Sequence, residues 1–173
     1  MTTASEQLAD FAAALDPARI DPAIVRKAKD HLVDAIGVAC AGLDEPQVRS
    51  VAATVRRWGG ASEAGVIGLD LRLPAPKAAF LNALHTRIHT FDDTHETGPS
   101  HPGASVVSGA LAAGELAQTS GRVLLSALVA GFEVATRLSA ALGPNHYGSG
   151  FHSPGTCAPL GAAVAAGRTS TCW

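Results

Sequence analysis

The chain has 173 residues, 47% hydrophobic and 16% charged, with 34 alanines, 18 glycines and 10 prolines. That is one domain's length with enough apolar content to bury a core, and too few charges for a disordered tail or a solvated coiled coil. Thirteen basic residues against fifteen acidic ones give a net charge of -2, without the basic footprint that a nucleic-acid partner requires.

Three cysteines, Cys40, Cys157 and Cys172, fall at no metal-ligand spacing, and Glu6 and Asp10 stand where a signal peptide would be basic and then apolar. These features predict a reduced, cytoplasmic protein. The most apolar stretch, Val123 to Leu142, is interrupted by Glu133 and Arg137, so it lacks the ~20 unbroken apolar residues of a membrane span. No membrane partner is expected.

Thr3 and Glu6 have capping-box spacing, and Leu8, Phe11, Ala12 and Leu15 recur at helical period, which predicts a first helix ending before Asp16-Pro17. Asp21-Pro22 then supplies a cap and a first-turn proline. The helix that follows places Ile24, Val25, Ala28, Leu32, Ala35, Ile36 and Ala39 on one stripe and ends at Gly42. Pro46 opens a third helix, with Val48, Val51, Ala52 and Val55 inward and Arg49, Arg56 and Arg57 outward, closed by Gly59-Gly60.

Between Ala64 and Leu73 a short β-branched run, Val66-Ile67, predicts at most one small strand or hairpin before Pro74 and Pro76. Helix resumes from about Lys77 to His89, with Phe80, Leu81, Leu84 and Ile88 as its apolar face. Thr90 to Gly103 is a polar loop. Two helices dominated by small and apolar residues follow, about Ala104 to Gln118 and Gly121 to Leu142, and being apolar nearly all round they are expected to be buried nearly all round. A Gly-rich loop from Gly143 to Gly155 leads to a last helix from about Thr156 to Gly167.

The fold class is therefore all-α. The domain is expected to span 1–167, with Arg168 to Trp173 a tail that does not continue the apolar period. So few helices around two all-apolar ones predict a truncated fragment of a larger protein, with apolar surface left for another chain to cover.

Six of the seven histidines lie between 85 and 152, and four fall within His85 to His101 beside Asp92, Asp93 and Glu96. Polar loops between buried helices place side chains in clefts. The structural alternative is that Asp92, Asp93 and Thr94 only cap a helix and accept backbone hydrogen bonds. His85 and His89 sit one helical turn apart, but spacing fixes no third ligand, so no metal is assigned. The acidic run also suits a magnesium-dependent isoprenoid synthase, although no second acidic motif follows and Lys27, Lys29 and Lys77 are the only lysines available to grip a diphosphate. A non-catalytic helical dimerisation fragment is the remaining alternative.

His89 to His95 (His-Thr-Phe-Asp-Asp-Thr-His), Ser100 to Gly103 (Ser-His-Pro-Gly) and Gly150 to Thr156 (Gly-Phe-His-Ser-Pro-Gly-Thr) together resemble the MmgE/PrpD family. That family includes 2-methylcitrate dehydratase, cis-aconitate decarboxylase and iminodisuccinate epimerase. Leu32 to Gly37 and Leu73 to Pro76 are similar to the same family's N-terminal half, and the likeness runs from about Leu8 to Gly167.

The resemblance implies the front part of a helical domain, a cleft shared with a lid domain, a homodimer and no dissociable cofactor. It implies a lyase acting on a small polycarboxylate, with dehydration as the preferred reaction and decarboxylation or epimerisation as alternatives. His101 and His152 correspond to the family's two loop histidines and are expected to be the acid/base pair. Thr94 is expected to donate a hydrogen bond to a substrate carboxylate, and Asp92 or Asp93 to orient a histidine. Thr90 stands where the family often has an acidic residue, and the family's downstream active-site lysine has no counterpart in this chain.

Overall fold

The computed structural model describes residues 2–170, so Thr171 to Trp173 of the expected tail lie outside the described residues. Eight helices and one small hairpin follow in order: α1 (Ala4–Ala14), α2 (Pro22–Ala41), α3 (Pro46–Arg57), β1 (Ala64–Gly65), β2 (Arg72–Leu73), α4 (Ala75–Arg87), α5 (Gly103–Leu116), α6 (Gly121–Leu142), α7 (Asn145–Gly148) and α8 (Ser153–Thr169). The fold is all-α. Local chemistry starts these helices where the sequence signals do. Thr3 and Glu6 close a reciprocal capping box on α1, Asp21 accepts from Ala23 N–H ahead of Pro22, and Ser120 accepts from Val123 N–H at α6.

The centre is a layer of three helices that approach closely through small residues. A Cβ on Gly109 would meet Ala162 Cβ at 3.3 Å, and one on Gly114 would meet Thr169 Cγ2 at 3.7 Å, so α5 and α8 run parallel. Gly131 lies against Gly161 and Ala165, while Ala135 lies against Gly161, so α6 runs antiparallel to α8. The N-termini of α5 and α8 and the C-terminus of α6 therefore share one end of the core. Val106, Val107, Ala110, Leu128, Ala135 and Ala165 fill the space between these helices and Ala35 of α2. A second cluster joins α3, the hairpin and α4 through Val55, Val66, Leu73, Ala78 and Leu81.

Helix α6 is long and apolar enough by composition to cross a membrane, yet half of its most apolar window is buried against neighbouring helices. It is a core helix of this fold, and Glu133 and Arg137 pair with each other at 2.6 Å on its surface.

Several local expectations are corrected. The β ladder pairs Ala64 with Leu73 and Gly65 with Arg72, leaving Val66-Ile67 in the turn. Leu81 is buried as expected, but Phe80 is 55% exposed, and the rest of the buried face of α4 is Ala75, Ala78, Asn82, His85 and Thr86. Asn82 is tolerated there because its side chain accepts from Ile67 N–H at 2.9 Å and donates to the Gly65 carbonyl at 3.1 Å, tying the hairpin to α4. The expected loop after Gly143 contains α7, and α8 begins three residues earlier than expected and runs to Thr169. Arg168 is part of that helix, and its guanidinium donates to the carbonyls of Ala12 and Leu15 at the end of α1.

Candidate active site

The polar loop between α4 and α5 is pinned to the end of the three-helix layer. His95 and Ser100 form an isolated antiparallel bridge, and the Ser100 hydroxyl meets that of Ser139 on α6 at 3.1 Å. Gly98 is needed at this contact, since a Cβ there would fall 2.2 Å from Ala140 N. At the loop's start Thr90 adopts φ +58°, strained for a β-branched residue.

Within this loop Asp92, Asp93, Thr94 and His101 come together. The His101 Nδ1–H donates to the Asp93 backbone carbonyl at 2.9 Å, which leaves Nε2 as the free ring nitrogen in the neutral imidazole. Thr94 Oγ1 lies 3.4 Å from the same Nδ1, and Asp92 Oδ1 lies 3.9 Å away. The partner that orients His101 is thus a main-chain oxygen. Each carboxylate has another task. Asp92 is buried and pairs with Arg87 at 2.6 Å, while its Oδ2 has no hydrogen-bond partner. Asp93 Oδ1 accepts from Gly103 N–H at 2.8 Å, capping α5, and its Oδ2 lies 3.5 Å from His31 Nδ1. Burial pushes the Asp93 carboxyl above its usual range, against the opposing pull of the Gly103 amide and His31.

His152 stands apart from this group at the N-cap of α8. Its ring is exposed and meets Tyr147 edge-on at 5.8 Å. Among the described residues no hydrogen bond or ion pair joins it to Asp92, Asp93, Thr94 or His101. The parallel course of α5 and α8 nonetheless puts both histidines at helix starts on the same end of the core. His146, stacked on Phe151 at 5.0 Å, donates to or accepts from Thr156 at 2.9 Å and braces the loop.

Beside Thr94 a cleft of about 250 Å³ opens between α2 and α6. Ile24, Lys27, Ala28 and His31 line one wall, and Val129, Phe132, Glu133 and Thr136 the other. Lys27 and His31 were not among the residues singled out from sequence. Their signal was faint: they interrupt, at i and i+4, the side of α2 that carries Ile24 and Ala28. His85 and His89 do not act as a chelating pair, because His85 is fully buried while His89 faces Glu45 and the Ala41 carbonyl. Among the described residues no group of three or more His, Cys, Asp or Glu is placed to hold a metal ion.

The sequence profile of the MmgE/PrpD N-terminal domain matches residues 6–171. This chain belongs to the MmgE/PrpD family. It is 28% identical over 155 positions to a cis-aconitate decarboxylase-like protein, oryM, of Aspergillus oryzae (strain ATCC 42149 / RIB 40), which covers 85% of the chain and 32% of the relative. It is also 28% identical over 181 positions to the cis-aconitate decarboxylase of Mus musculus, covering 97% of the chain and 36% of that protein. The chain spans about a third of the length of these curated relatives.

Proposed function

We propose that this domain supplies the acid/base histidine and a carboxylate-binding wall of a lyase site for a small polycarboxylate. The observation that carries this reading is the tethering of His101. With Nδ1–H committed to the Asp93 carbonyl, Nε2 can take a proton from a carbon beside a carboxylate, or return one after protonation. In dehydration Nε2 accepts that proton as hydroxide, protonated by a second acid, leaves as water. In decarboxylation the imidazolium protonates the carbanion left by carbon dioxide. His152 is the residue proposed for the second proton transfer.

Both reactions build negative charge next to carboxylates, so donors must meet it. Thr94 is suited to this. Its hydroxyl faces an Nδ1 that already donates elsewhere, so the hydroxyl proton is available to a substrate carboxylate. Dehydration of a 2-methylcitrate- or citrate-like acid is the reaction expected from the motifs, and the names of the two relatives favour decarboxylation of cis-aconitate. A homodimer, a site without a dissociable cofactor and a cytosolic location belong to the same proposal. The isoprenoid synthase alternative fits less well, because Asp92 and Asp93 are turned toward Arg87, Gly103 and His31.

The test is direct. The protein is incubated with cis-aconitate, citrate and 2-methylcitrate, and the products are followed by proton NMR. Loss of water or carbon dioxide from one of them supports the reading. Turnover of a diphosphate in the presence of magnesium, with none of these acids consumed, would overturn it.

A further inference from the structure

We propose that Arg87 is a positioning residue for His101, acting through the buried carboxylate of Asp92 to balance the ring between its neutral and protonated forms. The inference rests on the acid/base reading of His101, and it assigns a task to an ion pair that this reading leaves unused.

One oxygen joins the three groups. Asp92 Oδ1 accepts from Arg87 Nη1 at 2.6 Å and lies 3.9 Å from His101 Nδ1. Arg87 is the last residue of α4, and the turn after it, in which Thr90 N–H donates to the Arg87 carbonyl at 3.0 Å, brings Asp92 back to the helix end. The Asp92 side chain is only 1% exposed, against 35% for Arg87 and 23% for His101, so its charge acts on both neighbours with little screening by water. Other charges are more remote or already engaged. Among the described residues no other carboxylate lies within 4 Å of the His101 ring. Asp93 turns its carboxylate to Gly103 N–H and to His31 of α2, where Asp34 adds a second negative charge, and on α6 Glu133 pairs with Arg137. Glu115 and Arg168 stand at the opposite ends of α5 and α8, and no ion pair joins His152 to the group.

Protonating His101 places a positive charge beside Asp92, which favours the imidazolium, and the guanidinium on the same carboxylate opposes it. A general acid/base visits both forms in each turnover, so a buried carboxylate without that cation would hold the ring charged. The bond to Arg87 also fixes where the carboxylate stands. Asp92 Oδ2 has no hydrogen-bond partner, and Oδ1 is kept beyond hydrogen-bond reach of the ring, so the Nδ1–H goes to the Asp93 carbonyl at 2.9 Å. Removing the guanidinium frees a buried carboxylate for which, among the described residues, the imidazolium is the one cation left within 4 Å.

The experiment follows the His101 ring by NMR of histidine-labelled protein from about pH 5 to 9, with His101→Gln to assign its signal. Asp92→Asn, which keeps the side-chain shape and removes the charge, should move the titration midpoint down by about one pH unit, and Arg87→Met should move it up by about as much. Arg87→Lys should restore the wild-type midpoint, and the variant with both Arg87→Met and Asp92→Asn should fall between the single ones. Arg87→Met leaves a buried charge unpaired and is expected to melt earlier; if it does not fold, Asp92→Asn carries the test alone. A midpoint unmoved in Asp92→Asn, whatever its melting temperature, would make the ion pair a loop clamp only and overturn the proposal. The lyase reading fails separately. Shifted midpoints in a protein that turns over none of the acids keep the link from Arg87 to His101 and remove the reaction, whereas turnover with unmoved midpoints keeps the reaction and removes Arg87 from it.

Discussion

Gly161→Ala should destabilise the fold, although the substitution is favourable to an isolated helix. A Cβ at this position would stand 2.5 Å from the Gly131 carbonyl oxygen and 2.7 Å from Ala135 Cβ, where ordinary contact begins at 3.4 Å. The first obstacle is backbone, so no rotamer change relieves it and α6 and α8 must separate by several tenths of an ångström. Helix propensity contributes about 1 kcal/mol in favour of Ala, and overpacking a close-packed core costs about 1–3 kcal/mol or somewhat more when backbone must move. The expected net loss is about 1–2 kcal/mol, or roughly 2–8 °C in melting temperature for a chain of this size. Gly37→Ala is the control. Nothing lies within 4 Å of a Cβ there, so it should gain about 0.5–1 kcal/mol. Urea unfolding followed by circular dichroism measures both. If Gly161→Ala proved as stabilising as Gly37→Ala, the close α6–α8 crossing that sets the direction of α8 would be wrong.

His85 is fully buried with neither ring nitrogen in a hydrogen bond of normal geometry, and burial holds its pKa below the ordinary 6.5, against a smaller pull from the Ile67 backbone. The stability linked to its neutral form is therefore complete above about pH 6.5 and is lost as pH falls through the depressed value, at up to about 1.4 kcal/mol per pH unit. His85→Leu should flatten the acid limb of a melting-temperature profile, and an unchanged limb would refute this account of the ring. Asp93 has the opposite sign. Its raised pKa means that stability present below about pH 3.8 is lost as pH rises through the folded value, and Asp93→Asn, which keeps an acceptor for Gly103 N–H, should gain on the wild type across that window in chemical denaturation. Arg168→Ala should cost about 1–3 kcal/mol by leaving the carbonyls of Ala12 and Leu15 without their donor, and hydrogen exchange in α1 should accelerate more than in α5.

Helix starts were legible where a side chain carries the cap, as at Thr3 and Asp21. Helix faces were less so. Phe80 looks like core by type, yet the space against the hairpin and α5 admits Ala78 and rewards Asn82, whose amide satisfies two backbone groups that sequence does not show to be near. The four residues of α7 are too few to display a period, and Ser153-Pro154 was a first-turn signal hidden in a Gly-rich run. In the site, the clustering of Asp92, Asp93, Thr94 and His101 follows from their closeness in sequence. That His101 is oriented by a main-chain oxygen, and that Lys27 and His31 face the same loop from α2, are tertiary facts, since loop and helix are some sixty residues apart.

Nε2 of His101 is the group proposed to move the proton. The decisive measurement is turnover of the preferred acid by His101→Gln, compared with wild type at matched melting temperature. Loss of about two orders of magnitude or more in kcat, with substrate binding largely retained, is expected for removal of a general acid/base. Wild-type turnover in that variant would contradict the claim.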